Sequence, residues 1–309
     1  MQRWRGVERT PSGWGRCVVT IGVFDGVHRG HQHIIGRAVS RARETELPAV
    51  VITFDPHPSE VVRPGTHPAR LTSMDRKAEL LADLGVDVLC VLPFTVEFSH
   101  LGPAEFVHQV LIEHLHAAAI VVGENFRFGH KAVGDVTSLR TLGKTFGFAT
   151  EAVSIVSDDD TTFSSTYVRS CIDAGDVTAA ADVLGRPHRL EGIVVRGAGR
   201  GRELLGYPTA NMHTEPYAAM PADGVYAGYV SVGERRFLSA ISVGTNPTFD
   251  GQTRTLEPFL LDFDEDLYGH TIAVEFVQRL RGMVRYDGVE ALIEQMGKDV
   301  AQTRALLSR

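Results

Sequence analysis

At 309 residues the chain exceeds one typical domain, so two domains are expected. Its 43% hydrophobic and 22% charged content suits ordinary globular cores, and a formal charge of −7 argues against nucleic acid or an anionic membrane as the main partner. Cys17, Cys90 and Cys171 are odd in number and far apart, which argues against a disulfide framework or a zinc ribbon. No segment reads as a signal peptide or reaches the ~20 apolar residues of a membrane span, so a cytoplasmic protein is expected.

In chain order, residues 1–16 mix charges, glycines and a proline and are expected to be disordered. Residues 17–186 form the first expected domain. Nearly continuous apolar runs at 18–23, 49–54, 86–92, 119–122 and 150–156 read as strands buried on both faces. Helical patterns fall between them at 31–45, 74–84, 105–115 and 137–146. This alternation predicts an α/β domain with a doubly wound parallel sheet. Ligands of such sheets bind beyond the carboxyl ends of the strands. The turns 24–31, 55–58 and 123–129 each follow a strand directly and are expected to rim one crevice. From 187 to 309 the texture changes. Strand patterns at 190–195, 225–232, 236–243, 258–263 and 272–280 are separated by Gly/Pro turns without intervening helices. They predict an antiparallel β-barrel, closed by an amphipathic helix at 288–307.

The first candidate site is Gly22-Val23-Phe24-Asp25-Gly26-Val27-His28-Arg29-Gly30-His31. A strand enters a turn with little side-chain bulk, and two histidines sit where a helix begins, expected at His31. Backbone N–H groups and imidazoles there can meet a phosphate and the charge that develops as a phosphoryl bond breaks. Asp55-Pro56-His57-Pro58 forms a rigid strand-end loop. Gly123-Glu124-Asn125-Phe126-Arg127-Phe128-Gly129 places aromatic and polar groups in another, which suits a flat ring plus a phosphate. Ser164-Ser165-Thr166 can cap a helix or hold a phosphate, onto which Arg169 can fork.

In the second half, Gly197, Gly199, Gly201 and Gly206 interleave with Arg200 and Arg202, then Pro208-Thr209-Ala210-Asn211 follows. Glycines permit close approach to phosphates, and arginines supply charge. Thr209 and Asn211 lie two apart, so an extended chain presents their oxygens on one side, as hard ligands for Mg²⁺.

The first motif and Ser164–Arg169 closely resemble adenylyltransferases with a His-x-Gly-His motif. The later motifs, with Pro221-x-x-Gly224-Val225-Tyr226, Ser242–Thr248, Leu256–Asp262 and Leu267-Tyr268-Gly269, resemble riboflavin kinases. Their order matches bacterial bifunctional riboflavin kinase and FAD synthetase. The resemblance implies phosphorylation of riboflavin to FMN by ATP, then adenylylation of FMN by a second ATP to FAD and pyrophosphate. It implies that His28 and His31 act on the triphosphate, with Gly22, Phe24, Asp25, Gly26, Gly30, Ser165, Thr166 and Arg169 binding ATP. FMN would meet Asp55, His57, Asn125 and Phe128. In the kinase, Glu257 would be the general base, Gly197, Gly199, Arg202, Gly206 and Pro208 would bind ATP, and Thr209 and Asn211 would hold Mg²⁺. The segment 202–206 is one residue longer than in many relatives, which leaves open whether Arg200 or Arg202 faces the phosphates. Alternatives are transfer to another phosphate acceptor, such as phosphopantetheine, and a flavin sensor without catalysis. Partners are small molecules, and oligomeric state is left open.

Overall fold

The computed structural model describes residues 1–154, 157–158, 161–196, 209–245 and 254–308. Contacts divide the chain into two units. The first comprises Met1–Pro68 and Met74–Ser164, and the second Ala69–Ser73 and Ser165–Arg309.

The first unit is an α/β layer structure. Its strands are β1 (Gln2–Arg5), β2 (Cys17–Ile21), β3 (Ala49–Asp55), β4 (Val88–Pro93), β5 (Ala117–Gly123) and β6 (Ala149–Val153). They form one sheet in the order β1-β4-β3-β2-β5-β6, with every pairing parallel. The central strand β2 is buried throughout, as its continuous apolar run requires. Helices α1 (Arg29–Glu44), α2 (Pro58–Val62), α3 (Met74–Asp83), α4 (Val96–Ser99), α5 (Pro103–Phe106) and α6 (Val136–Phe146) belong to the connections. After α5 the chain continues as a π-helical stretch, Val107–His114. From β2 the order runs outward through β3 and β4, then returns to the other flank at β5. This reversal makes the carboxyl end of β2 the switch point, where such sheets bind ligands.

Two expectations are corrected here. Residues 2–5, expected to be disordered, pair with β4, with Trp4 buried edge-on against Trp14 at 4.8 Å between centroids. A single buried anchor among Gln2, Arg3 and Arg5 is enough for an edge strand and leaves little apolar pattern to read. Helix α1 begins at Arg29 rather than His31, because the His28 imidazole caps it.

The second unit opens with α7 (Ser165–Ala174) and α8 (Val177–Leu184); the short strands β7 (Ser157–Asp158) and β8 (Thr161–Thr162) pair just before them. Six further strands follow: β9 (His188–Val195), β10 (Asn211–Thr214), β11 (Gly224–Val232), β12 (Arg235–Thr245), β13 (Arg254–Leu260) and β14 (Thr271–Arg281). They close into the expected antiparallel barrel, ordered β10-β13-β12-β11-β14-β9. Buried Leu190, Tyr226, Ile241, Leu256, Val274 and Phe276 fill it. Val177 of α8 joins that core, which explains why contacts group α7 and α8 with the barrel although the sequence places the boundary at 186–187. Helix α9 (Val289–Leu307) is anchored by Asp299. This carboxylate is 4% exposed and accepts Arg281 Nε at 3.0 Å, Arg281 Nη2 at 2.7 Å and Gln295 Nε2 at 2.9 Å.

Candidate functional site

At the switch point, the chain leaves β2 through a tight turn. Phe24 and Val27 adopt φ of 48° and 40° although both carry side chains, and Gly26 takes 84°. The Val27 N–H donates to the Phe24 carbonyl at 3.2 Å. His28 then caps α1: its Nδ1 accepts the His31 N–H at 3.3 Å. An accepting Nδ1 leaves Nε2 as the protonated nitrogen of the neutral ring. The two imidazoles stack with centroids 3.6 Å apart and planes 23° apart, and the Phe24 ring meets His31 at right angles at 5.2 Å. Gly30 makes this packing possible. A Cβ there would stand 3.2 Å from the His28 ring and 3.3 Å from the carbonyl oxygen of Phe163, the residue that precedes Ser164. Asp25 and His28 are both buried. The cap, the ring pair and the start of α1 thus gather donors and the positive end of a helix dipole at one point.

Beside this turn lies a cleft of about 760 Å³. Gly22 and Val23, Pro58 and Ser59, and Phe126 to Gly129 line it, so the turns 55–58 and 123–129 rim this crevice, whereas the expected turn 24–31 contributes none of its lining residues and only the two residues ahead of it do. Its walls are aromatic. Phe126 and Phe128 stack at 5.5 Å with planes 11° apart, while Phe54, Phe94 and Phe98 pack edge to face or tilted. Arg63, Arg127 and Lys131 add cations to the lining. Such a site can sandwich a flat apolar ring and favour an anionic ligand. Of the residues expected to meet the flavin, Phe128 lines the cleft, while Asp55, His57 and Asn125 are not among its lining residues. His57 instead caps α2 by accepting the Ser59 N–H at 3.1 Å, Asp55 lies 3.6 Å from Arg5, and Asn125 is exposed in the turn after β5.

In the second unit, a cleft of about 700 Å³ opens between the barrel and α9. Glu257 and Thr209 line it together with Ser242, Phe259, Arg281, Leu292 and Met296. Glu257 sits on β13 opposite Ser242 of β12 and accepts the Thr255 hydroxyl at 3.2 Å. The Ala210 N–H donates to the Pro258 carbonyl at 2.9 Å, which pins the Thr209–Asn211 segment beside Glu257. Asn211 begins β10, paired with Val195. Gly197, Gly199, Arg202, Gly206 and Pro208 lie outside the described residues, as do Arg200 and residues 246–248. Ser165, Thr166 and Arg169 belong to α7 in the second unit, where Arg169 Nε donates to the Ala69 carbonyl at 2.6 Å.

Some residues of these clefts were not singled out in the sequence. Phe54 and Phe94 end or follow strands, a position that could have marked them as mouth residues. Phe98, Phe106, Arg281 and Asp299 carry no comparable local signal.

Comparison with known proteins agrees with this geometry. The sequence model of the FAD synthetase family matches residues 10–167, and that of riboflavin kinase matches residues 184–307. A bifunctional riboflavin kinase/FMN adenylyltransferase of Pseudomonas fluorescens is 39% identical, covering 99% of this chain and 98% of its own. Its counterpart in Escherichia coli K12 is 35% identical over 93% of this chain and 92% of its own. A crystal structure described as a macrolide-efflux protein from Streptococcus pneumoniae superimposes with a TM-score of 0.89 at 33% identity, covering 98% of this chain and 99% of that one. Among the described residues, no helix here is long and apolar enough to cross a membrane.

Proposed function

Because the chain belongs to the family of bifunctional riboflavin kinase/FMN adenylyltransferases, we propose that its two clefts divide the two reactions between them. The protein is a transferase: it phosphorylates riboflavin to FMN and adenylylates FMN to FAD, with ATP as donor in both steps. The observation that carries the division is the placement of the two motif sets. The His28–His31 pair stands at the switch point of the parallel sheet, and Glu257 with Thr209 lines the barrel cleft.

In adenylyl transfer, the FMN phosphate attacks the α-phosphorus of ATP in line, and pyrophosphate leaves without a protein nucleophile. The His28 Nε2–H and the amino end of α1 stabilise the charge that gathers on the departing phosphates. The aromatic cleft holds the flavin ring against Phe126 and Phe128, and the turns bearing Asp55, His57 and Asn125 set its edge. In the barrel, Glu257 accepts the proton of the riboflavin 5′-hydroxyl as that oxygen attacks the γ-phosphorus. The chemistry of the donor set fits Mg²⁺: Thr209 and Asn211 offer neutral oxygens on one side of an extended segment beside Glu257. When bound there, Mg²⁺ neutralises charge on the ATP phosphates.

The direct test incubates pure protein with riboflavin, ATP and Mg²⁺ and separates the flavins by chromatography. FMN and then FAD are expected. Accumulation of FMN alone would remove the adenylyltransferase assignment, and unchanged riboflavin would favour a binding protein without catalysis.

A further inference from the structure

Lys77 is the one lysine among the buried polar residues of the described chain, at 5% exposure, and no motif assigns it a role. It sits on the inner face of α3, beside buried Ala78 and Leu81. Its ammonium donates to the Val23 carbonyl at 2.8 Å and lies 3.4 Å from Thr53 Oγ1. The Thr53 hydroxyl donates to the same carbonyl at 2.9 Å. Val23 is therefore held from two elements at once, α3 and β3.

The position of that carbonyl matters. The next residue is Phe24, whose positive φ starts the strained turn and whose ring meets His31. Val23 also lines the aromatic cleft. Moving the carbonyl moves the entry to the turn, and with it the ring that packs against the histidine pair. Burying an ammonium is costly, and an apolar side chain of similar length would fill the same space without that cost. Packing alone does not account for a lysine here.

We propose that Lys77 is a positioning residue for adenylyl transfer: through the Val23 carbonyl it holds the Phe24–His31 frame in the geometry that meets the triphosphate. The inference rests on the reading of that frame as the adenylyltransferase site. Its effect is exerted on the transition state, because a shift of a fraction of an ångström weakens donors aimed at developing charge more than it weakens ground-state binding.

The test uses the full chain, which carries its own control. Lys77→Met is assayed for FMN plus ATP to FAD, and separately for riboflavin plus ATP to FMN. The expected result is a fall of tenfold or more in kcat for FAD formation, with KM for FMN changed less than threefold and the kinase rate within twofold of wild type. Lys77→Arg, which keeps a donor, should recover part of the loss. Thr53→Val, which removes the other donor to Val23, should show the same pattern more weakly and serves if Lys77→Met does not fold. Unchanged FAD formation in Lys77→Met and Thr53→Val overturns the inference, and so does a parallel loss of both activities. Failure of the wild-type chain to form FAD from FMN would instead remove the underlying reading of the site.

Discussion

His28 and Glu257 allow the two-cleft reading to be tested one side chain at a time. His28 does two jobs, because Nδ1 caps α1 while Nε2 carries the ring's proton as a donor. His28→Ala is expected to lower FAD formation from FMN by about 10²–10³-fold, the usual cost of removing a donor to developing charge. Phosphorylation of riboflavin should be unchanged. His28→Asn, which can still cap the helix, separates the roles: it should restore the Ala variant's lost thermal stability without restoring the rate. Glu257→Gln should do the reverse, lowering FMN formation by about 10²–10⁴-fold while added FMN still becomes FAD. Chromatography of the flavins reads both outcomes, and a single substitution that stopped both steps in a folded chain would refute the division. The turn and its histidine spacing made His28 and His31 readable as candidates for phosphate chemistry, and the resemblance to riboflavin kinases made Glu257 readable as a candidate base. Their exact partners were not. Histidine is outside the usual capping set of Ser, Thr, Asp and Asn, so neither the His28 cap nor the His57 cap could be foreseen.

The elements differ in how plainly the sequence wrote them. Strands β2 to β5 are buried on both faces, so their apolar runs were continuous and their order with the helices gave the parallel sheet. β1 has one buried residue, Trp4, and β10 has one, Met212, so neither carries a pattern. Helices α7 and α8 are short and were hidden by the functional reading of Ser164–Arg169. Helix α9 was legible as a helix, but what holds it was not, because Arg281 and Asp299 are 18 residues apart. That pair is the strongest candidate for a single tie between α9 and the barrel. Arg281 is held more firmly protonated by its hydrogen bonds to Asp299. Asp299→Ala leaves a partly buried guanidinium without this carboxylate and should destabilise the barrel unit by about 3 kcal/mol. Arg281 and Asp299 both line the cleft with Glu257. The same variant should therefore raise KM for riboflavin, while FAD formation from added FMN is retained; urea unfolding followed by circular dichroism, with steady-state kinetics, checks both.

On the scale of the whole molecule, the two units can be followed separately, because the chain's 2 tryptophans, Trp4 and Trp14, both lie in the first one. That unit also buries Cys17 and Cys90 completely. Burial pushes both thiols up to about 12, since the thiolate would lose its hydration in an apolar interior. In the unfolded chain a thiol ionises near 8.5. Above that pH the unfolded state releases protons that the folded state keeps, so the contribution to stability is complete below about pH 8.5 and is lost as pH rises toward 12. Each thiol should then lower the stability of the first unit by about 1.4 kcal/mol per pH unit within that window. Urea titrations followed by tryptophan fluorescence at pH 8, 9, 10 and 11 should show the midpoint falling progressively. The variant carrying Cys17→Ala and Cys90→Ala should start from a lower midpoint, because it leaves cavities, yet show a shallower decline. An equal slope in both proteins would mean that other groups govern the alkaline loss and that these two thiols ionise without cost in the folded core.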